Sequence, residues 1–325
     1  MSLIAAFVAV CDTISAMRRL IPTFLLLFAS IAHGHGACRI ERKTEVPVRI
    51  VQNYALVELA VNGRTATFLL DTGAERTVFA NTAIEELGLA RDEWVSSSIR
   101  GMGGVIERTA NVVLRSFDIG GLPLRRRSVN PVLSFAVAPL PWHEIGGRTI
   151  SGVLGADYLS VFDLDLDLPG GKLTLYDTIG CMREQIPWEP ANSPVLLEHP
   201  KPYVILAPVQ ILGRTLHAQL DTGASFSFVS WKGAAQLSIT PTMLAQTPEL
   251  SARGIGRQGV AMRSRSFELL RLGPVEYHDV RMLFGSPAGG FPFEMLLGMD
   301  LLRSQHIFIS YATNRLLIAT NAKAD

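Results

Sequence analysis

A repetition constrains this chain more than anything else in it. The segment FLLDTGAERTVF runs an apolar stretch into Asp71 and continues through Thr72, Gly73 and Ala74; HAQLDTGASFSFV sets Asp221, Thr222, Gly223 and Ala224 in the same order 150 positions later. A carboxylate at the end of a buried-looking strand is costly to place, and this chain places it twice. The match extends well beyond those residues. NGRTATFLLDTGA (62–74) aligns without a gap on LGRTLHAQLDTGA (212–224), EELGL (85–89) on AQLSI (235–239), RGMGG (100–104) on RGIGR (253–257), and GVLGADYL (152–159) on MLLGMDLL (295–302). Segments that recur in one order mark duplicated domains, so the fold has to use the same Asp-bearing turn in both halves.

Local patterns give each half a β character. Residues 57–61 and 66–70 flank Asn62-Gly63, a two-residue hairpin signal, and LDLDLPGGKLTLY (164–176) repeats the scheme around Pro169-Gly170-Gly171. Helices are expected to be few and short, with residues 82–87 and 231–237 the best candidates. A length of 325 residues, 48% hydrophobic and 18% charged, suits two globular domains and excludes a disordered chain. These observations organise the chain as a targeting segment (1–37), an N-terminal lobe (46–177), a linker (178–202) carrying Pro187, Pro190, Pro194, Pro200 and Pro202, and a C-terminal lobe (203–320). Short strands with Gly and Pro turns point to all-β, closed or sandwiched lobes.

The N-terminus reads as a secretory signal. MRRLIPTFLLLFASIA (17–32) has Arg18 and Arg19 before an apolar run too short to span a bilayer comfortably. Ser30 and Ala32 suit the small positions before a cleavage site, Ala37 offers a poorer one, and Met17 suits a true start. Cys38 follows Gly36 and Ala37 as in a lipoprotein, but the upstream Leu of such a site is missing. The protein is therefore expected to be periplasmic or secreted, with an uncleaved inner-membrane anchor as the alternative. Residues 38–60 have the place of a propeptide but no convincing processing signal. Cys11 would leave with the signal. Cys38 and Cys181 then either pair in an oxidising compartment or stay free, because sequence gives no distance between them.

If the halves pack about a pseudo-twofold axis, Asp71 and Asp221 face each other. Two adjacent carboxylates cannot both ionise cheaply, so the pair holds one proton and titrates as a unit. The ionised member can take a proton from water as it attacks a peptide carbonyl, while the protonated member supports the developing oxyanion. Gly73 and Gly223 would allow close backbone approach, and Thr72 and Thr222 can hydrogen-bond across the axis.

With these motifs the chain resembles the retropepsin-like aspartic proteases, specifically bacterial secreted forms with two lobes fused in one chain. The resemblance covers residues 46–320. It implies two retropepsin- or pepsin-like β-barrel lobes, an endopeptidase with Asp71 and Asp221 as its catalytic dyad, and Thr72 and Thr222 as an interlocking grip beneath it. Gly73, Ala74, Gly223 and Ala224 would support the carboxylates, and Leu154-Gly155 and Leu297-Gly298 would complete the loop under each Asp. Arg100, Gly101, Met102, Gly103 and Gly104, with Arg253, Gly254, Ile255, Gly256 and Arg257, would be flap tips closing over an extended polypeptide substrate. A fused pair of lobes implies a monomer without cofactor or metal. Both lobes depart from pepsins in carrying Ala after Asp-Thr-Gly and no flap Tyr. The absent hydroxyl removes a hydrogen bond from each carboxylate, which predicts a mildly acidic optimum; activity still rising below about pH 3 would contradict this. Arg257 in place of Gly104 predicts an asymmetric cleft.

Other motifs carry less. GIGRQG (254–259) fits a dinucleotide fingerprint formally, but its flanks lack the helix that fingerprint needs. DLDLD (163–167) resembles a calcium loop, yet Leu168 stands where Gly is needed and Thr174 where Glu is needed, so an alternating strand with its acidic face in water explains it better. His143, His217, His278 and His306 lack metal-ligand spacing. Arg125, Arg126 and Arg127 read as a solvated loop, and a net charge of +1 gives no reason to expect nucleic acid as a partner. Two alternatives stay open: a catalytically silent protein holding an extended peptide in the same cleft, and a membrane-anchored regulatory protease with one or few substrates.

Overall fold

The computed structural model describes residues 38–125, 133–181, 194–287 and 291–319. The expected targeting segment, Arg126, Arg127, Pro187, Pro190 and Thr320 lie outside these residues.

Each half opens with the expected hairpin. Tyr54–Val61 and Arg64–Leu70 pair around Asn62 (φ 50°) and Gly63 (φ 81°), and Leu206–Ile211 and Arg214–Leu220 pair around Leu212 (φ 49°) and Gly213 (φ 69°). Positive φ at both central residues makes a turn whose twist matches the flanking strands. The second strand of each hairpin is the apolar run ending at the Asp, and its last three residues are buried in both halves: Phe68, Leu69 and Leu70, then Ala218, Gln219 and Leu220. A strand covered on both faces has to be central. Each runs parallel to a strand from the end of its own half, with Leu70 opposite Leu154 and Leu220 opposite Leu297.

The chain after each Asp turns back as a third strand on the same neighbour, Val78–Ala80 and Phe228–Val229, and then enters a short helix, Asn81–Leu87 and Trp231–Gln236. The first helix stops at Gly88 in the left-handed region, and the second begins where Ser230 Oγ accepts from the Gly233 amide at 3.2 Å. The sheets close on themselves. In the first lobe Phe117–Ile119 returns to pair with Tyr54–Val61; in the second, Val260–Leu272 returns to Leu206–Ile211. The architecture is two all-β lobes, and among the described residues the α-helices number four and are short.

The terminal hairpins join the halves. Asp163–Asp167 pairs with His306–Ser310, so that Lys172–Ile179 and Arg39–Val51 on one side and Arg315–Ile318 and Val195–Leu196 on the other extend one sheet shared by both lobes. This corrects one expectation. The acidic face of residues 163–167 does not lie in water but against the second lobe's hairpin. Asp163 is buried and accepts from Ser310 Oγ (2.9 Å) and the Ala312 amide (3.1 Å), and Asp165 lies 2.6 Å from His306 Nε2. Burial is tolerable because each carboxylate has a partner.

The cysteine question is answered by register. Arg39 stands opposite Ile179, and the adjoining Cys38 and Cys181 form a disulfide. Arg39–Val51 and Tyr54–Val61 are paired strands of the first lobe, which leaves a removable propeptide in 38–60 without structural support.

Candidate active site

Both Asp-Thr-Gly-Ala turns are held by the same backbone bonds. The Asp71 amide donates to the Leu154 carbonyl (3.0 Å) and the Asp221 amide to that of Leu297 (2.9 Å). Two residues past these leucines, Ala156 and Met299 donate to the carbonyls of Ala74 and Ala224, each at 2.8 Å. Gly155 lies between those bonds, and a Cβ there would sit 2.6 Å from the Arg76 carbonyl carbon. Gly298 is equally tight, 2.5 Å from the Phe226 carbonyl oxygen.

A second set of supports was not assigned from sequence. Thr77 donates through N and Oγ1 to Asp157 Oδ1, both at 2.8 Å, and accepts from the Gly155 amide at 3.0 Å. In the other lobe Ser227 Oγ donates to Asp300 Oδ1 (2.6 Å) and accepts from Gly298 (2.9 Å). Their signal is present in the repeat: a hydroxyl residue six positions after each Asp, and an Asp two positions after each later Gly.

The turns meet across the molecule. Thr72 Oγ1 donates to the Leu220 carbonyl (2.9 Å) and accepts from the Thr222 amide (3.2 Å); Thr222 Oγ1 donates to the Leu70 carbonyl (2.7 Å) and accepts from the Thr72 amide (3.1 Å). Both threonines are fully buried. Gln219 Nε2 adds a bond to the Gly73 carbonyl (2.9 Å) that has no counterpart in the other direction. The glycines are obligatory for contact: a Cβ on Gly73 would lie 2.4 Å from Asp221 Cγ, and one on Gly223 would lie 2.2 Å from Asp71 Cγ. Each carboxylate therefore rests on the other lobe's glycine.

One oxygen of each carboxyl is held by its own turn. Asp71 Oδ1 accepts from the amides of Gly73 (2.9 Å) and Ala74 (2.7 Å), and Asp221 Oδ1 from those of Gly223 (2.8 Å) and Ala224 (3.0 Å). The two carboxyls lie close enough for each to influence the other's ionisation. Both are partly exposed yet densely surrounded by protein, and burial raises both above the ordinary carboxylate range. Asp221 rises well above it, first because of its burial and then because the Asp71 charge beside it opposes its ionisation. Such a pair keeps one proton where isolated aspartates have lost both.

The glycine-rich segments form two unequal tips. Ala90–Gly101 and Gly104–Leu114 turn tightly at Met102-Gly103, whereas Leu250–Ala252 and Val260–Leu272 are joined by the longer loop 253–259. The tips touch. The Gly103 amide donates to the Ile255 carbonyl (2.9 Å), and the Gly103 carbonyl accepts from Arg257 (3.0 Å) and Gln258 (3.1 Å). Cβ atoms at Gly101, Gly103, Gly254 or Gly256 would each come within 2.8 Å of the opposite tip. Met102 packs with Ala224 against Phe228, Met262 and Leu296 of the second lobe, and Ile255 packs with Ala74 against Leu56, Leu69 and Val153 of the first. Arg100, Arg253 and Arg257 are exposed. The structure thus brings all eight Asp-Thr-Gly-Ala residues together, and links each tip, through one apolar side chain, to the surroundings of the opposite lobe's turn.

Comparison with known proteins gives a family match and a structural likeness. A sequence family described as aspartyl protease matches residues 57–158 and 207–301, one segment around each Asp. No curated protein sequence matches the chain. Among solved structures, the aspartic proteinase from Irpex lacteus is similar with a TM-score of 0.48 and 12% identity, over 87% of this chain and 99% of that one.

Proposed function

Because this chain belongs to the aspartyl protease family, we propose that it is an endopeptidase in which Asp71 and Asp221 act as one catalytic pair. The observation that carries this reading is that each carboxyl rests against the other lobe's turn glycine, which brings the two together at a place where burial pushes the protonation of both upward. With Asp221 protonated and Asp71 ionised, Asp71 accepts a proton from a water lying between them as that water attacks the peptide carbonyl. Asp221 meanwhile donates toward the developing oxyanion, and the proton gained by Asp71 passes to the leaving nitrogen. The turn amides of Gly73, Ala74, Gly223 and Ala224 fix one oxygen of each carboxyl, leaving the other for chemistry.

The substrate in this reading is an extended polypeptide lying between the dyad and the two tips, held by main-chain bonds to their backbone. One chain carries both carboxylates, so a monomer suffices. The disulfide at the first lobe's edge and the signal-like residues 17–32 favour a periplasmic or secreted location.

The test is digestion of a mixed peptide library by the purified full chain between about pH 3 and 8, with Asp71→Asn and Asp221→Asn beside it. Cutting by the wild type and loss of at least about a thousandfold in kcat/KM in each variant is expected. An Asp71→Asn or Asp221→Asn protein that still cuts at wild-type rate would sink the shared-pair assignment.

A further inference from the structure

The cleft is polarised in charge. Ala74 of the first turn and Ile255 of the second tip pack against the same group of buried residues, which marks one side of the cleft. Arg76 lies two residues beyond Ala74, and Arg253 and Arg257 lie two residues to either side of Ile255. All three are exposed, and none has a carboxylate partner among the described residues. The neighbouring acid, Glu75, is held by Lys201. Residues 250–260 contain no acid at all.

The other side has the same construction with a single arginine, Arg100, in place of three. There Met102 of the first tip and Ala224 of the second turn share an apolar group. The positions matching Glu75 and Arg76 are Ser225 and Phe226, and Gly104 stands opposite Arg257 in the repeat. Arg100 is engaged in contacts of its own. Phe226 packs into the apolar group instead of offering a charge. A chain of net charge +1 has no general excess of cations to account for three arginines without carboxylate partners in the two segments that flank this side.

We propose that the cleft selects polypeptides carrying acidic side chains on one side only of the cleaved bond, the side running along the Asp71 turn and the second tip, with uncharged chain on the other. This rests on the endopeptidase reading and adds the substrate class. Asp and Glu side chains three or four residues from the bond would meet guanidinium groups that already lack partners, and lysines there would be repelled. Exposed ion pairs are individually weak, roughly two- to fivefold each, so three together give about a tenfold preference, reduced by salt.

The experiment uses a peptide with a fixed apolar centre in which a single Glu, or a single Lys, is walked through every position on both sides. Cleavage is measured as kcat/KM, and binding of the same peptides with an uncleavable reduced bond is followed by fluorescence anisotropy. The expected result is about a tenfold Glu-over-Lys preference confined to one side, weakened at about 0.5 M salt. It should invert in Arg253→Glu/Arg257→Glu and shrink on the same side in Arg76→Glu, which lies on a different element. A Glu preference equal on both sides, none anywhere, or one unchanged in these variants overturns the proposal. Should nothing be cut, that failure counts against the endopeptidase reading, and the binding arm decides the charge preference by itself.

Discussion

The two lobes hold their Asp-Thr-Gly-Ala turns with matching bonds and differ almost everywhere else. The first lobe has a core of interlocked rings, with Phe68, Phe79, Phe117, Phe135 and Tyr158 meeting at centroid distances of 5.0–6.1 Å. The second fills the same role with Met282, Met295, Met299 and leucines around Phe267 and Phe284. The first tip is a two-residue turn and the second a seven-residue loop. The described disulfide belongs to the first lobe. What stays equal is what each lobe must present to the other: a Thr hydroxyl reaching the opposite strand, a glycine under the opposite carboxyl, and a glycine tip against its counterpart. Cores can be refilled if volume is kept; a contact across a symmetry axis has to match itself.

The largest effect should come from the most asymmetric feature. Replacing Cys38 and Cys181 by Ser frees a loop of 143 residues, and chain-entropy reasoning puts the loss at about 4–5 kcal/mol. Hydrogen exchange should show protection falling in Arg39–Val51 and Lys172–Ile179 before it falls in the second lobe's barrel. Equal loss in both lobes would mean that the shared sheet makes them one cooperative unit.

A smaller effect tests the symmetric part. Thr72→Val keeps the shape but leaves the Leu220 carbonyl and the Thr222 amide without partners, and Thr222→Val does the same to Leu70 and Thr72. Each should cost about 2–4 kcal/mol in denaturant unfolding. Because the four bonds form one network, the double variant should cost clearly less than the sum. Unequal single costs would show that the extra Gln219 bond to Gly73 lets one lobe carry the junction alone.

Much of this arrangement was legible in the sequence. The repeat placed both Asp turns, the hairpins at Asn62-Gly63 and Pro169-Gly170-Gly171 formed where those residues favour them, and both expected helices lie within a residue of their predicted spans. What escaped depends on tertiary partners. Period-2 alternation tells which face residues 163–167 turn acids toward, but not that His306 and Ser310 cover that face. The tip glycines look like turn residues. Gly104 and Gly256 do take positive φ, yet Gly101, Gly103 and Gly254 are needed because the opposite tip leaves no room for a Cβ. Whether Cys38 could reach Cys181 was fixed only by the register of two strands far apart in the chain. Thr77, Asp157, Ser227 and Asp300 were visible as repeated positions, but a hydroxyl and a carboxylate separated by some eighty or seventy residues have no sequence pattern that joins them.

The smallest effect concerns the proton that the lobes share. In the folded protein the pair keeps a proton at pH values where the unfolded aspartates are ionised, since burial and mutual repulsion raise both groups, Asp221 most. Folding therefore takes up a proton between the unfolded pKa and the raised one, and stability falls as pH rises through that window. The part contributed by the pair is fully present below about pH 4 and is gone once pH passes the raised value. Asp221→Asn removes the titrating group and relieves Asp71 of a like charge; Asp71→Asn does the reverse. Both variants should thus have a flatter Tm profile than the wild type between about pH 4 and 8, gaining a few degrees on it at the upper end. If the proton belongs to the pair, the two profiles should coincide. A flat profile in Asp221→Asn alone would assign the proton to the second lobe, and the symmetry of the turns would then stop short of their charge.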